Sequence, residues 1–299
     1  MKAATIHRTG SASEIQITDI PTRDVGPGDI RVKVAAAAVN PVDVKTRSGF
    51  LNMDLDFPVV LGWDVAGTVD AVGTDVSRFR EGDQVMGMVA QPARGQGTYA
   101  EYVSAPQELF APVPTGVSMQ QAAAAPLTVL TAAQMLSKLD LPDKARVLVT
   151  GAAGAVGRVA VQWLLQAGHQ VAGLARLSDT ADLTALGTEA VYDSTDSLPD
   201  ATFDAVVDTA GIADAIASVR DDGQFISIAD NTQPQPERGI APTKSYVQEN
   251  GRQLAEIADQ LAQGTLSVPV GRTYPLSQAA TAHSDFERGG LRGKVLLIP

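Results

Sequence analysis

The chain of 299 residues contains no cysteine, which excludes disulfides, thiolate catalysis and every metal site that needs a cysteine ligand. Histidine is scarce as well. The three histidines, His7, His169 and His283, are far apart in the sequence and lack the spacing of metal ligands. We therefore interpret each of them as structural or exposed, and we expect no bound metal.

The chain also lacks an excess of basic residues and any long hydrophobic run. Its net charge of −11 and pI near 4.7 disfavour nucleic acid and anionic membranes as partners, because both attract basic surfaces. No stretch of about 18 apolar residues is present, and the first residues lack the apolar core of a secretory signal. We expect a cytoplasmic enzyme.

The residues that are present predict an α/β protein with two domains. Short β-rich runs between glycine and proline turns occupy residues 1–118, and residues 265–299 return to this pattern. Residues 119–264 alternate between strands and helices, which is typical of a doubly wound parallel sheet. The predicted domains are therefore 1–118 with 265–299, and 119–264.

The predicted elements follow from apolar runs and helical spacing. The predicted strands of the first domain are 30–34, 65–72, 84–89, 99–103 and 294–298. The predicted strands of the second domain are 146–150, 170–175, 190–192, 205–208, 224–229 and 240–247, enough for a complete Rossmann sheet. The predicted helices are 119–138, 156–167, 252–263 and 277–288.

A turn rich in small residues after the strand 146–150 predicts a dinucleotide site. Gly154 and Gly157 take the second and third places of the GxGxxG fingerprint, while Ala152 stands at the first. Small residues let the backbone approach a pyrophosphate, and the start of the following helix attracts anions. We expect Gly154, Ala155 and Val156 to bind the pyrophosphate. The alternative, a tight turn alone, is disfavoured because strand, turn, helix and strand fit one βαβ unit.

Cofactor choice is set at the end of the second Rossmann strand, where an acid favours NAD and a basic residue favours NADP. Arg176 stands there with Ser178, and the first acid is Asp179. A guanidinium suits a 2′-phosphate, so the sequence predicts NADPH. A solvated surface arginine is the alternative.

Other strand ends are predicted to face the cofactor, because ligands of open α/β sheets bind at the carboxyl ends of strands. Tyr192 ends the third strand and is placed beside the adenine, although a half-buried strand tyrosine is an equal alternative. The remaining candidates follow later strands and are Thr209, Ala210 and Gly211, then Ile228 and Ala229, which precede Asp230.

Several longer motifs carry a resemblance to a known family. They are 38–49 (AVNPVDVKTRSG), 62–67 (GWDVAG), 82–85 (GDQV), 97–102 (GTYAEY), 272–276 (RTYPL) and 292–295 (RGKV). The sequence resembles the zinc-independent medium-chain dehydrogenases/reductases, in particular the quinone oxidoreductases similar to zeta-crystallin. The resemblance covers nearly the whole chain.

The resemblance implies a GroES-like β domain completed by the C-terminal segment, a Rossmann domain, and an active site in the cleft. It implies hydride transfer from NADPH to a quinone or an α,β-unsaturated carbonyl, and a homodimer paired through Rossmann edge strands, here 240–247. It also implies cofactor contacts at Thr128 and Arg292. Zinc-dependent relatives carry histidine and glutamate where this chain has Trp63 and Asp64, so zinc is not expected.

The family segment that matches residues 40–45 lines the substrate pocket. Asn40 is expected to bind the nicotinamide ribose or the substrate carbonyl, Asp43 to order the loop, and Lys45 to stabilise an enolate oxygen. The alternatives are a turn at Asn40, because asparagine before proline initiates turns, a solvated Lys45, and helix packing for Thr128. The sequence also leaves open a non-catalytic NADPH-binding protein and an enoyl-thioester reductase. The loop 91–97 is a candidate border of the substrate pocket.

Overall fold

The computed structural model describes residues 1–90, 95–229 and 233–299. These residues form two compact units, Met1–Leu127 with Glu249–Pro299, and Thr128–Gln248. Their strands are β1 (Lys2–Ile6), β2 (Gln16–Asp19), β3 (Asp29–Val39), β4 (Val59–Val60), β5 (Asp64–Val72), β6 (Gln84–Met88), β7 (Tyr102–Pro106), β8 (Phe110–Pro112), β9 (Arg146–Thr150), β10 (Gln170–Leu174), β11 (Ala190–Tyr192), β12 (Phe203–Asp208), β13 (Val219–Ser227), β14 (Thr243–Lys244), β15 (Val270–Pro275) and β16 (Lys294–Ile298).

The helices are α1 (Pro41–Ser48), α2 (Met119–Ala124), α3 (Pro126–Leu136), α4 (Ala155–Gln166), α5 (Thr180–Leu186), α6 (Gly251–Ala262) and α7 (Ala279–Arg288). Among the described residues, no helix has the length and apolarity needed to cross a membrane.

The first unit is built on a seven-stranded sheet in the order β15-β16-β3-β5-β6-β8, with β7 paired to β3. Its long strand β3 alternates partly exposed and buried residues at first and then becomes buried on both faces. The terminal strand β16 pairs antiparallel with β3, with Val295 opposite Val39. This pairing brings the end of the chain beside the start of α1, where the first unit collects its polar residues.

The second unit is a six-stranded sheet in the order β11-β10-β9-β12-β13-β14, and all of its pairs are parallel. This is the Rossmann order, whose switch point lies at β9. The predicted α/β class with a doubly wound parallel sheet is confirmed. The predicted edge strand 240–247 was too long, because only Thr243–Lys244 pairs with β13.

The boundaries of the two units differ from the predicted domain limits because two helices predicted in the second domain pack in the first unit. Helix α2 packs on β3 and β5, and α6 packs on β8, so both lie in the first unit. The predicted helix 119–138 was wrong as one element, because it is divided into α2 and α3. Pro126 explains the division, since proline starts a helix well but disrupts a helix interior. The helix α1 was expected only as a loop.

Candidate active site

The turn between β9 and α4 has the backbone that the glycine fingerprint predicts. Gly151 has φ +61°, a left-handed conformation that favours glycine. A Cβ on Gly157 would lie 2.3 Å from the Gly151 carbonyl oxygen, so the helix can approach the turn only with glycine at this position. Ala152 is fully buried. The variant fingerprint therefore forms the close strand-to-helix turn of the motif.

Gly154 is the N-cap of α4, and Ala155 and Val156 form its first turn. The first intrahelical bond runs from the Arg158 amide to the Gly154 carbonyl oxygen at 2.8 Å. The amides that precede it at a helix start have no intrahelical acceptor and are suited to an anion. The residues present therefore fit a pyrophosphate.

Asp208 organises the carboxyl ends of the central Rossmann strands. Its Oδ1 accepts hydrogen bonds from the Thr150 hydroxyl at 2.6 Å and from the Gly211 amide at 2.9 Å. Its Oδ2 accepts from the Ser227 hydroxyl at 2.7 Å. Sequence reasoning placed the strand end 208–211 at the cofactor crevice but gave Asp208 no role of its own, although an acid that ends an apolar strand was the available signal.

The residues predicted after β12 and β13 gather around Asp208. The Thr209 hydroxyl donates to the Thr150 carbonyl oxygen at 2.7 Å, and the Ala210 amide lies 3.3 Å from Asp208 Oδ1. The Ile228 amide donates to the Asp208 carbonyl oxygen at 3.1 Å, and the Ala229 amide donates to Ser227 Oγ at 3.0 Å. The structure therefore brings these candidates together, while Asp230 lies outside the described residues.

Arg176 follows β10, and its Nε donates to Asp179 Oδ2 at 3.1 Å. The arginine side chain is 57% exposed and the aspartate 6%. Ser178 lies between them in the 3-10 turn Leu177–Asp179. Asp179 thus holds one edge of the guanidinium near the end of β10.

Tyr192 ends β11, and its ring packs edge-on against Phe203 with centroids 6.5 Å apart. Its carbonyl oxygen accepts from the Ala175 amide at 2.9 Å. Thr128, near the start of α3, is 1% exposed, and its Oγ1 has no hydrogen-bond partner among the residues that the structure describes. A buried hydroxyl without a partner is costly, so Thr128 is a candidate ligand contact.

In the first unit, Asn40 caps α1 in place of the turn that was its alternative. Its amide N–H donates to Asp43 Oδ2 at 2.7 Å. Asn40 and Asp43 are each 1% exposed. Asparagine at the cap, proline at the first helical position and Gly49 after the last turn are standard helix signals, and they were present in the sequence.

The Asn40 side chain is hydrogen-bonded to both members of a buried ion pair, Asp64 and Lys294. Asn40 Nδ2 donates to Asp64 Oδ2 at 2.9 Å, and Lys294 Nζ donates both to Asn40 Oδ1 and to Asp64 Oδ2, the latter at 3.3 Å. The Leu127 amide donates to Asp64 Oδ1 at 2.7 Å. Sequence reasoning included Lys294 in the motif 292–295 but missed it as a site residue, although a charge at the start of the apolar strand β16 was an available signal. Both ends of the Asn40 amide therefore have partners within the first unit.

Burial dominates the titration of this region. It raises the pKa of Asp43 to about 7, although hydrogen bonds from the Asn40 amide and the Tyr99 hydroxyl oppose the shift. The Tyr99 hydroxyl lies 2.9 Å from Asp43 Oδ2, and burial together with that carboxyl raises the pKa of Tyr99. Burial also raises the pKa of Asp64, against the opposing effect of Lys294.

The remaining predicted residues lie nearer the surface of the first unit. Lys45 Nζ lies 5.7 Å from the ring centroid of Phe50, which is 56% exposed. Arg292 is exposed in the turn before β16. Of the loop 91–97, residues 91–94 lie outside the described residues, and Gln96 is buried and donates to the Tyr102 carbonyl oxygen at 3.3 Å.

The histidines occupy separate places. His7 is exposed, His169 Nδ1 accepts from the Ala145 amide at 3.1 Å, and His283 is fully buried. Within residues 1–90, 95–229 and 233–299, no group of three or more His, Asp or Glu side chains is arranged to hold a metal ion.

Comparison with known proteins gives a consistent picture. Residues 26–115 match the alcohol dehydrogenase GroES-like domain, and residues 186–297 match the family described as zinc-binding dehydrogenase. The chain is 31% identical to 2-methylene-furan-3-one reductase of Solanum lycopersicum, with 100% of this chain and 79% of the relative covered. It is 30% identical to the chloroplastic NADPH-dependent alkenal/one oxidoreductase of Arabidopsis thaliana, with 100% and 80% covered.

Among solved structures, the quinone oxidoreductase from Coxiella burnetii matches with a TM-score of 0.91 and 29% identity, over 100% of this chain and 99% of that one. The GroES-like assignment of the first unit is thereby confirmed, as is the Rossmann assignment of the second.

Proposed function

The chain belongs to the quinone oxidoreductase group of the medium-chain dehydrogenases/reductases, and we propose on that premise that it reduces quinones or α,β-unsaturated carbonyls with NADPH and without zinc. The activities named for the two relatives, a 2-methylene-furan-3-one reductase and an NADPH-dependent alkenal/one oxidoreductase, support this substrate class. The observation that carries the proposal is the combination of the glycine turn before α4 with Arg176 after β10.

The Rossmann unit supplies the cofactor contacts. Gly154, Ala155 and Val156 bind the pyrophosphate at the start of α4. The Ala155 and Val156 amides point to the anion, while the Gly154 amide donates to the Gly151 carbonyl oxygen at 2.8 Å and its missing side chain leaves room for the phosphate. Arg176 binds the 2′-phosphate, with its guanidinium oriented by Asp179. Thr128 and the residues after β11, β12 and β13 complete the proposed site. When bound, the nicotinamide supplies the hydride.

The first unit supplies the substrate contacts. Lys45 is the candidate for stabilising negative charge on the substrate oxygen, since α1 holds it partly exposed. Asn40 and Asp43 are positioning residues, because their side chains are buried and bonded at the start of α1. Zinc has no role in this proposal. The chain has no cysteine, and both oxygens of Asp64 already accept hydrogen bonds from protein donors.

We place the protein in the cytoplasm and expect a homodimer. The short edge strand β14 supports the dimer, because an exposed strand edge offers main-chain groups for pairing with a second copy. Tyr246, two residues beyond β14, is 61% exposed. Light scattering of the purified protein measures the oligomeric state directly.

The first test is turnover. The purified protein should oxidise NADPH in the presence of a quinone or an alkenal, at the same rate with and without a zinc chelator. Tight NADPH binding without turnover across a broad acceptor panel would instead identify a non-catalytic NADPH-binding protein.

The second test uses a matched pair of arginines. Arg176→Asp should lower kcat/KM for NADPH by roughly 10–100-fold and leave NADH use unchanged, because a charge-assisted bond to the 2′-phosphate is lost. Arg220→Asp is the matched control, because Arg220 resembles Arg176 in its pairing and exposure: its Nε pairs with Asp204 at 3.0 Å and its side chain is 53% exposed. An equal loss with both cofactors would contradict the role of Arg176.

A further inference from the structure

Five buried polar atoms without partners lie on four residues of the first unit. They are Asp43 Oδ1, Thr46 Oγ1, Arg47 Nε and both ring nitrogens of His283, and none has a hydrogen-bond partner within the described part of the chain. The four side chains are at most 2% exposed. Leaving so many polar atoms unpaired would carry a large desolvation penalty, and native proteins avoid this by pairing such groups or by binding ordered water.

The four residues are neighbours in space. Asp43, Thr46 and Arg47 have the i, i+3, i+4 spacing of one face of α1. His283 lies on α7, its ring contacts Tyr99 edge-on at 5.7 Å, and Tyr99 also donates to Asp43. Arg47 reaches α7 through a bond from Nη2 to Glu287, and its charge acts on His283. We call Asp43, Thr46, Arg47 and His283 the α1–α7 polar cluster.

The donors and acceptors of this cluster are complementary. Burial, and then the charge of Arg47, lower the pKa of His283 to about 3, so the ring is neutral at pH 7 and offers one donor and one acceptor. Arg47 Nε donates, Thr46 can donate and accept, and the carboxylate of Asp43 accepts. Water, which donates and accepts at once, can join such a set, and a buried water typically makes about three hydrogen bonds.

We propose that about two ordered water molecules lie in the α1–α7 polar cluster, and that protons reach Asp43 through them. In each exchange a water passes one proton to Asp43 Oδ1 and takes one from the next water, and the last water takes its proton from hydronium in the bulk solvent. The charged and titratable groups that act on Asp43 are Tyr99, Asp64 on β5 and Lys294 on β16. At the other side of the cluster, Arg47 on α1 faces His283 and Glu287 on α7.

The site matters because of what Asp43 holds. Asp43 Oδ2 accepts the amide N–H of Asn40 at the start of α1, the helix that carries Lys45. A charged carboxylate at that end binds the N–H and the helix dipole more strongly than a neutral carboxyl does. The protonation state of Asp43 would thus determine the stability of the start of α1, the helix that carries the proposed substrate contact Lys45. This consequence for the substrate contact rests on the proposed function.

An isosteric substitution distinguishes a hydrated α1–α7 polar cluster from an unhydrated one. Thr46→Val should remove one water contact, raise the pKa of Asp43 by about one unit, and lower Tm by about 2–4 °C. The Asp43 pKa is measured by carboxyl-carbon NMR on the protein without substrate. Thr46→Ser, which keeps the hydroxyl, should restore both values. Thr131→Val is the control, because it removes an unpartnered buried hydroxyl in the Rossmann unit.

A second measurement does not depend on any variant. NMR transfer from bound water to the ring protons of His283 should be observed in the wild-type protein. No transfer, a Tm that rises in Thr46→Val, or an Asp43 pKa equal to that of Thr131→Val would each overturn the proposal. The inflection of kcat/KM with pH should move in parallel with the Asp43 pKa. Absence of turnover would defeat the proposed function and leave the water test intact.

Discussion

Asp64 in the GroES-like unit and Asp208 in the Rossmann unit are both buried aspartates, but they have different partners. Asp64 pairs with the ammonium of Lys294 and the side-chain amide of Asn40. Among the described residues, the partners of Asp208 are neutral groups, two hydroxyls and several main-chain amides. One unit thus balances buried charge with charge, and the other surrounds it with neutral dipoles.

The difference follows from chain geometry. Asp208 and its hydroxyl partners are 19 and 58 residues apart, and the loops after adjacent parallel strands bring them together. Lys294 and Asn40 are 254 residues apart and meet only because β16 pairs with β3. A site made by one local motif can be inferred from sequence, while a site made by distant segments depends on the whole unit.

The largest expected effect is the loss of the ammonium in the first unit. Lys294→Met should lower the free energy of unfolding by about 3–5 kcal/mol, because it leaves the buried Asp64 without its counter-charge. Urea denaturation measures the change. Lys2→Met is the control, since the Lys2 and Asp19 side chains are 58% and 77% exposed and such pairs contribute less than about 1 kcal/mol. Equal effects of the two variants would remove the distinction between the units.

A smaller effect is expected in the Rossmann unit. Asp208→Ala should cost about 1–3 kcal/mol, because hydroxyls and amides can partly satisfy one another or bind water once the carboxylate is gone. NADPH affinity should fall as well, since Thr209, Ala210 and Gly211 lose their anchor. Fluorescence titration with NADPH and urea denaturation measure the two effects. Asp214→Ala, at an exposed position, is the control. A loss larger than that of Lys294→Met would reverse the comparison.

The smallest effect is expected in the wild-type protein itself, as a dependence of stability on pH that belongs to the first unit. The pKa of Asp43 rises from 3.8 to about 7 on folding, so this group adds stability at low pH that is lost as the pH rises through 7. The pKa of His283 falls from 6.5 to about 3, so this group adds stability at high pH that is lost as the pH falls. Between pH 4 and 6.5 the two contributions should nearly cancel in the wild-type protein.

Single variants should expose each contribution. Asp43→Asn should become less stable as the pH falls through this range, and His283→Gln should become more stable, each by up to about 1.4 kcal/mol per pH unit. Urea denaturation at a series of pH values gives both slopes. Slopes of the same sign in the two variants would show that these groups do not titrate as described.

The part of the molecule that could be predicted from sequence is the part that local rules determine. The bounds of β9, β11 and β16 were predicted without error, because apolar strands between turn signals determine them. The glycine turn was recognised from its small residues between a strand and a helix, and the lack of room for a side chain at Gly157 explains that pattern. By contrast, α1 was interpreted as a loop although its capping signals were present.

The buried partners of Asn40 could not be predicted. No periodicity in the sequence relates Asp64 to Lys294. The Lys294 ammonium reaches Asp64 only when β16 pairs with β3 in the folded sheet. The α1–α7 polar cluster also depends on distant segments, because His283 on α7 joins three residues of α1 that lie near the other end of the sequence. Pair formation across a unit is a tertiary property, and only the assembled sheet reveals it.

The place of Lys294 near the C-terminal end of the sequence has a consequence for the order of synthesis. Residues 1–127 leave the ribosome long before β16. Asp64 and Asn40 therefore lack their partner Lys294 while the whole Rossmann segment Thr128–Gln248 is made. That segment contains every strand of its own sheet and can fold while translation continues. The first unit therefore starts to emerge before the Rossmann unit but is completed after it. Until β16 is made, the incomplete first unit is a better target for a chaperone than the Rossmann unit.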